Sequence, residues 1–411
     1  MKKNNFLFYT DWDEQAAGSA SVLAGKLAAF ATEFGLSGNV WQQWLTYMLM
    51  MDENAFTLAC ERREIMPDST LLHLAERDLA IFMELFKAGN ADFDEDEGVL
   101  SLMLDYKPPY EDECVTEAGR RIKELKCRLA GAEDVKDFAS VLTEHYFKYG
   151  SGMFGLYKAF RVDPASAAAG DVRLVPVTDS GDVSFDDLIG YESQKKVLRD
   201  NTEAFVSGSF ANNVLLYGDS GTGKSTSIHA LMHEYSDRGL RLIEVSKTDR
   251  VRLPQILSEI KKRNYRFILF LDDLSFEEDE SDYKELKAML EGALETRSDK
   301  VLIYATSNRR HLIRETWGDR SDMEYHEDVH RSDTMEEKLS LASRFGVTIY
   351  YPKPGPAEYL EIVKALAGKK GIGLSGKELE DEARRWEIRH GGMSGRTASQ
   401  LITWLGGTED Q

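Results

Sequence analysis

Residues 218–225 read Gly218-Asp219-Ser220-Gly221-Thr222-Gly223-Lys224-Ser225, with Thr226 next, and complete the pattern G-x-x-x-x-G-K-[ST]. The chemistry open to such a loop is phosphate binding. Its glycines let the backbone curl so that successive N–H groups face phosphate oxygens. A helix that begins at the loop adds the positive end of its dipole. Lys224 reaches the outer phosphates of a bound nucleotide, and the Ser225 hydroxyl is a ligand for Mg²⁺. The flanks agree with this use. An apolar run at 214–217 reads as a buried strand, and 227–234 reads as a helix.

Further along, the apolar run 267–271 ends in Asp272-Asp273. Acids at the end of a buried strand sit at the carboxyl edge of a sheet, beside a phosphate loop. Asp272 suits Mg²⁺ held through its water shell, because that ion keeps several waters and takes few protein carboxylates. Asp273 is then placed to polarise an attacking water. The run 301–305 is followed by Thr306-Ser307-Asn308, whose amide can orient water or touch a terminal phosphate. Arg344 precedes a further apolar run at 347–350, where it could reach the nucleotide of a neighbouring subunit. Last comes Gly391-Gly392-Met393-Ser394-Gly395-Arg396. Ser394 reads as a helix N-cap. Arg396 in the first turn opposes the helix dipole by a few tenths to about 1 kcal/mol, a cost that a nearby phosphate would remove. A salt bridge to a local acid is the alternative.

Taken in order, these segments resemble the AAA+ ATPases. The resemblance implies Walker A at 218–225, Walker B at Asp272-Asp273, sensor 1 at Asn308, an arginine finger at Arg344 and sensor 2 at Arg396. Upstream, Phe185-Asp186-Asp187-Leu188-Ile189-Gly190-Tyr191 resembles the segment that holds adenine by backbone and apolar contacts, which implies roles for Ile189 and Tyr191. The stretches 212–218, 304–311 and 336–341 are similar to an uncharacterised bacterial AAA+ family, a domain of unknown function (815), over about 149–406. ATP and Mg²⁺ are the implied cofactors, and a homo-oligomer is the implied assembly. The chain departs from the pattern in having Asp273 where these enzymes usually carry Glu. The shorter side chain suggests slow hydrolysis, or help from Glu277 or Glu278.

The elements that must position these residues follow from the apolar pattern. Runs at 214–217, 242–245, 267–271, 301–305 and 347–350 are continuous, as parallel strands covered on both faces require. The expected fold is therefore α/β, a P-loop core at 184–354 with a five-stranded parallel sheet. A helical lid is expected at 355–411, an all-helical domain at 1–162 and a linker at 163–183, which itself holds a short strand at 173–177. In the N-terminal part, Leu71, Leu74, Ile81, Phe82, Leu85 and Phe86 make one apolar face, and Val115, Ala118, Ile122, Leu125 and Leu129 make another. Asp92 to Glu97 reads as a solvated acidic loop.

Three other patterns weigh less. His326-Glu327-Asp328-Val329-His330 matches the zinc-protease signature, but its flanks lack the apolar periodicity of a helix backing a metal site. The G-x-G-x-x-G match at 150–155 follows a helical pattern, not a strand, and reads as a hinge. Lys261-Lys262-Arg263 and Arg309-Arg310-His311 are small basic clusters. Across 411 residues there are 51 Lys and Arg against 71 Asp and Glu, a net charge of −20. That balance disfavours nucleic acid, whose affinity comes from neutralised phosphates. No run is long enough to span a membrane and no leader is apparent. The three cysteines, Cys60, Cys114 and Cys127, lack metal spacing. A cytoplasmic ATPase acting on a protein partner through its N-terminal helices is the expectation. A nucleic-acid loader and a slowly hydrolysing switch remain as alternatives.

Overall fold

The computed structural model describes residues 6–10, 19–63, 65–66, 68–88, 99, 101–109, 115–168, 172–178, 181, 183–274, 299–308 and 344–409. The acidic run at 92–97, Glu277 and Glu278, the zinc-type motif at 326–330 and the cluster at 309–311 lie outside them. The chain forms two compact units, Met1–Tyr157 and Lys158–Gln411.

In the first unit the described helices are α1 (Ala20–Phe34), α2 (Val40–Met51), α3 (Ala55–Arg62), α4 (Thr70–Ala88), α5 (Glu117–Ala130), α6 (Val135–Tyr149) and α7 (Gly152–Leu156). Five of their starts are capped: Ser19, Asn39, Asn54, Thr116 and Asp134 each accept a backbone N–H of the first turn. One core joins them, with Trp41, Leu45, Phe56, Phe82, Ile122, Phe138 and Tyr146 among its members. The α5 seam is buried at Ala118, Ile122, Leu125 and Leu129, whereas Val115 precedes the helix. On α4 the core face is Ala75, Leu79, Phe82 and Phe86, and Leu74 turns outward, 45% exposed. The expected face misassigned Leu74, which lies one position before the buried Ala75. The glycines at 150–155 lie at the end of α6 and within α7. Gly152 and Gly155 belong to α7, whose Phe154 and Leu156 are buried, and a Cβ on Gly152 would collide with the Glu53 side chain.

The second unit is built on a sheet of β1 (Ala159–Val162), β2 (Leu174–Pro176), β3 (Val214–Gly218), β4 (Leu240–Glu244), β5 (Arg266–Leu271), β6 (Val301–Ser307) and β7 (Val347–Tyr351) in the order β2-β1-β4-β5-β6-β3-β7. All neighbours run parallel except β1 and β2. Among the described residues the sheet thus has seven strands and not five. Ala159, Phe160 and Val162 are buried, and β1 extends the sheet beyond β4. Residues 163–183, expected as a linker, carry helix α8 (Pro164–Ala168) and β2, which pairs with β1.

Helices α9 (Glu192–Val206), α10 (Lys224–Tyr235) and α11 (Leu253–Ile260) belong to this α/β core. Leu198 and Phe205 of α9 and Ile228, Leu231 and Met232 of α10 share its hydrophobic core with the strands. Three helices follow: α12 (Pro356–Lys370), α13 (Gly376–Arg389) and α14 (Gly395–Glu409). Pro356 opens α12, Gly371 ends it in the left-handed conformation, and a Ser375–Glu378 capping box opens α13. Tyr359, Val363, Leu379, Ala383, Leu401 and Ile402 form their shared core, and Ile189 packs on it.

Leu401 is fully buried among three helices. Leu401→Ala should cost about 2–5 kcal/mol of stability in the second unit. Denaturant unfolding followed by circular dichroism reads this, and an unchanged midpoint would show that the three helices do not share a core.

Candidate functional site

The phosphate loop leaves the carboxyl end of β3 and enters α10. Gly218, Gly221 and Gly223 all have positive φ, at 135°, 75° and 91°. All three also leave no room for a side chain, and a Cβ on Gly218 would collide with the Tyr351 backbone carbonyl. A Cβ on Gly223 would strike Leu188, and one on Gly221 would lie 3.0 Å from Ser394 Oγ and 3.1 Å from Arg396 Cβ. The Gly221 carbonyl accepts the Gly395 N–H at 2.9 Å, which fastens the start of α14 to the loop. Lys224, at the first position of α10, is 5% exposed and donates to the carbonyls of Gly218 (3.1 Å) and Asp219 (2.6 Å). Burial pulls its ammonium down to about 8, against the opposing pull of Asp219, Asp272 and Asp273, while Arg396 pushes the same way as burial. An anion in the loop would restore the charged form.

The two acids follow β5. Strands β5 and β6 are in register from Phe267 opposite Val301 to Leu271 opposite Ala305, so Asp272 and Thr306 come next on adjacent strands. Asp272 Oδ1 accepts the hydroxyls of Ser225 (2.7 Å) and Thr306 (2.5 Å). The loop serine and the strand acid therefore meet, as a shared Mg²⁺ site requires. Asp273 is left-handed, φ 51°. Its N–H donates to Thr306 Oγ1 (2.9 Å), and its Oδ1 accepts the Asn308 amide at 2.7 Å.

These groups line one cavity of about 480 Å³. Its polar side is Ser220 to Thr226 with Asp272, Asp273, Thr306, Asn308 and Arg396, and its apolar side is Leu188, Ile189, Tyr191, Ile362 and Leu366. Tyr191 also has a left-handed backbone, φ 62°. It is held by its hydroxyl on the Pro352 carbonyl (2.9 Å) and by Tyr351, ring centroids 5.1 Å apart. Asp187 and Lys369 (2.6 Å) tie this segment to α12. A larger cavity, about 700 Å³, opens beside β1 and β4 and shares Asp272, but it holds none of the loop glycines.

Each residue expected at the site thus has a definite place. Lys224, Ser225, Asp272, Asp273, Asn308, Ile189, Tyr191 and Arg396 converge on the cavity. Asn308 reaches Asp273 directly, where the sequence suggests water or phosphate. Ser394 caps α14, its Oγ accepting the Thr397 N–H at 3.1 Å, with Arg396 in the first turn. Arg344 does not join them. It lies exposed ahead of β7, at the edge of the sheet opposite the phosphate loop. Of the basic cluster at 261–263, Arg263 is 6% exposed and lies over the Tyr265 ring, a packing role. Sequence reasoning missed Thr306, Ile362, Leu366 and Lys369. A hydroxyl two positions before a strand-end asparagine was the available signal for Thr306. The α12 residues were signalled only by apolar and basic positions on a helix.

Residues 157–409 match a family described as "Protein of unknown function (DUF815)". None of the curated proteins matches. Among solved structures, the RuvB Holliday junction branch migration motor of Thermotoga maritima is similar at 20% identity and a TM-score of 0.38, over 54% of this chain and 63% of that one. The chain therefore spans just under two thirds of the length of that relative. The AAA domain of FIGL-1, in complex with ADP, is similar at 20% identity and a TM-score of 0.40, over 56% of this chain and 75% of that one. No described helix is long and apolar enough to cross a membrane. The family match takes in more than half of the chain, including the loop, both acids and the three C-terminal helices, so the protein belongs to the DUF815 family.

Proposed function

We propose that this protein is a Mg²⁺-dependent ATPase of the AAA+ type, working as a homo-oligomer on a protein partner in the cytoplasm. The observation that carries the reading is the single cavity in which a phosphate loop, two strand-end acids, an amide and a lid arginine meet beside an apolar wall. The wall of Leu188, Ile189, Tyr191, Ile362 and Leu366 suits a purine base. Loop N–H groups and Lys224 hold the phosphates, with Arg396 on the outermost one. Ser225 and Asp272 are the residues that would hold Mg²⁺, which would offset the charge of the phosphates. Asp273 orients the attacking water. The water oxygen bonds to the γ-phosphorus, the bond to the β–γ bridging oxygen breaks, and the water proton leaves toward Asp273 or the phosphate. Asn308 fixes the Asp273 carboxylate for this task.

A second reading, a nucleotide switch that hydrolyses slowly, has its own support. One Asp273 oxygen is engaged by Asn308, and the side chain is a methylene shorter than glutamate. Steady-state turnover separates the two.

Lys224→Ala should abolish ATP binding by calorimetry, and a folded variant with unchanged affinity would remove the nucleotide site. The buried ammonium also sets a pH dependence. Its free-protein value of about 8 lies below the ordinary 10.5. Phosphates bind the charged form, so affinity should be full below about pH 8 and fall as pH rises through it, with proton uptake on binding. Asp272→Asn should lose the tightening by Mg²⁺ yet bind nucleotide weakly. Asp273→Asn should bind and not turn over, and wild-type turnover in that variant would show that the base lies elsewhere.

Assembly has a separate test. Arg344→Ala should bind ATP normally and lose roughly 10³-fold in turnover. Mixing it with Lys224→Ala should restore part of the activity. Full-rate Arg344→Ala would count against a shared site.

A further inference from the structure

We propose that Thr306 is the positioning residue that sets both strand-end acids at once, an inference that rests on the ATPase reading of the cavity. Thr306 is 2% exposed and lies at the carboxyl end of β6. Its hydroxyl donates to Asp272 Oδ1 (2.5 Å) and accepts the Asp273 N–H (2.9 Å). Its carbonyl accepts the Leu274 N–H (2.7 Å). Three consecutive residues of the turn after β5 are therefore fastened to one residue of the neighbouring strand.

Each bond has a different consequence. With the Ser225 hydroxyl on the same Asp272 oxygen (2.7 Å), the Thr306 donor fixes the plane of the carboxylate that would serve the metal. The bond from the Asp273 N–H holds a backbone with φ 51°, which residues with a Cβ rarely adopt and which Asp tolerates better than most. In that conformation the Asp273 carboxylate meets the Asn308 amide at 2.7 Å. The same clamp accounts for Asp in place of the longer Glu. Asp, unlike Glu, visits the left-handed region with some ease, and the turn that Thr306 holds requires that region. The single hydroxyl proton is committed to Asp272, so Thr306 acts through the acids and is not itself a proton donor to the reacting atoms.

The test compares Thr306→Val, which keeps the shape and removes both hydroxyl bonds, with Thr306→Ser, which keeps the hydroxyl. Groups that hold a metal ligand typically contribute about 10–100-fold to affinity or activity. In Thr306→Val, kcat and the Mg²⁺ concentration needed to tighten ATP should each worsen by about tenfold or more. Metal-free ATP affinity should be unchanged, and Thr306→Ser should behave as the wild type. Equal loss in Thr306→Ser and Thr306→Val would make the role one of packing and overturn the proposal, as would a Thr306→Val enzyme with normal kcat and Mg²⁺ dependence. A crystal structure of Thr306→Val reads the clamp without nucleotide. Asp273 should leave the left-handed region and lose its bond to Asn308, and an unmoved Asp273 would overturn the inference. Should Thr306→Val not fold, Thr306→Ala takes its place in the same measurements. A wild-type protein that binds no ATP would defeat the ATPase reading instead, and the crystallographic comparison would still decide the clamp.

Discussion

The candidate site depends on the register of a parallel sheet buried on both faces. Strands β5, β6 and β3 carry apolar side chains on each face, so none can slide without exposing them or reversing which face they meet. Register alone then brings the ends of these strands level. A slip of one residue would displace Asp272 by about 3.3 Å relative to Thr306, more than a hydrogen bond can absorb. The energy that fixes the acids is thus spread through hydrophobic contacts well below them, at about 1.5–3 kcal/mol for each large apolar side chain buried. The polar bonds at the edge need only select among conformations within a frame already rigid.

Electrostatics at that edge is balanced between unlike pieces. Lys224 and Arg396 face Asp219, Asp272 and Asp273, and the lysine is buried enough that its charge is strained in the free protein. A phosphate chain would relieve that strain while adding repulsion with the acids, which a divalent cation would offset. Loop and acids are therefore each incomplete alone, and the proposed ligand, a nucleotide with its metal, would satisfy both.

Much of this was legible in the amino-acid sequence where the signal is local. The loop from Gly218 to Ser225 is specified by glycine spacing that few other backbones need, and Asp272-Asp273 is marked by the apolar run before it. Arg396 was marked by its conflict with a helix dipole. What escaped depends on contacts distant in sequence. β1 is four residues long with Arg161 exposed in its middle, a pattern too short to read as a strand until β4 lies beside it. Thr306 looks like any hydroxyl near a strand end, since only the fold carries Asp272 to it. Lys369 gains meaning from Asp187, 182 positions away. Leu74 was misread because an apolar helical stripe one position too wide still fits the periodicity.

The bond from Gly395 to Gly221 joins the first residue of a long, stiff helix to the loop that would grip phosphate. Helix α14 has 15 residues and is about 22 Å long. Pinned at one end, it would act as an indicator needle. A tilt of about 10° at the pin would carry the far end through about 4 Å, given that length. The three-helix core built around Leu401 would turn with it as a block. Angstrom-scale differences in how the loop is filled would therefore be displayed, magnified, on a surface remote from the phosphates.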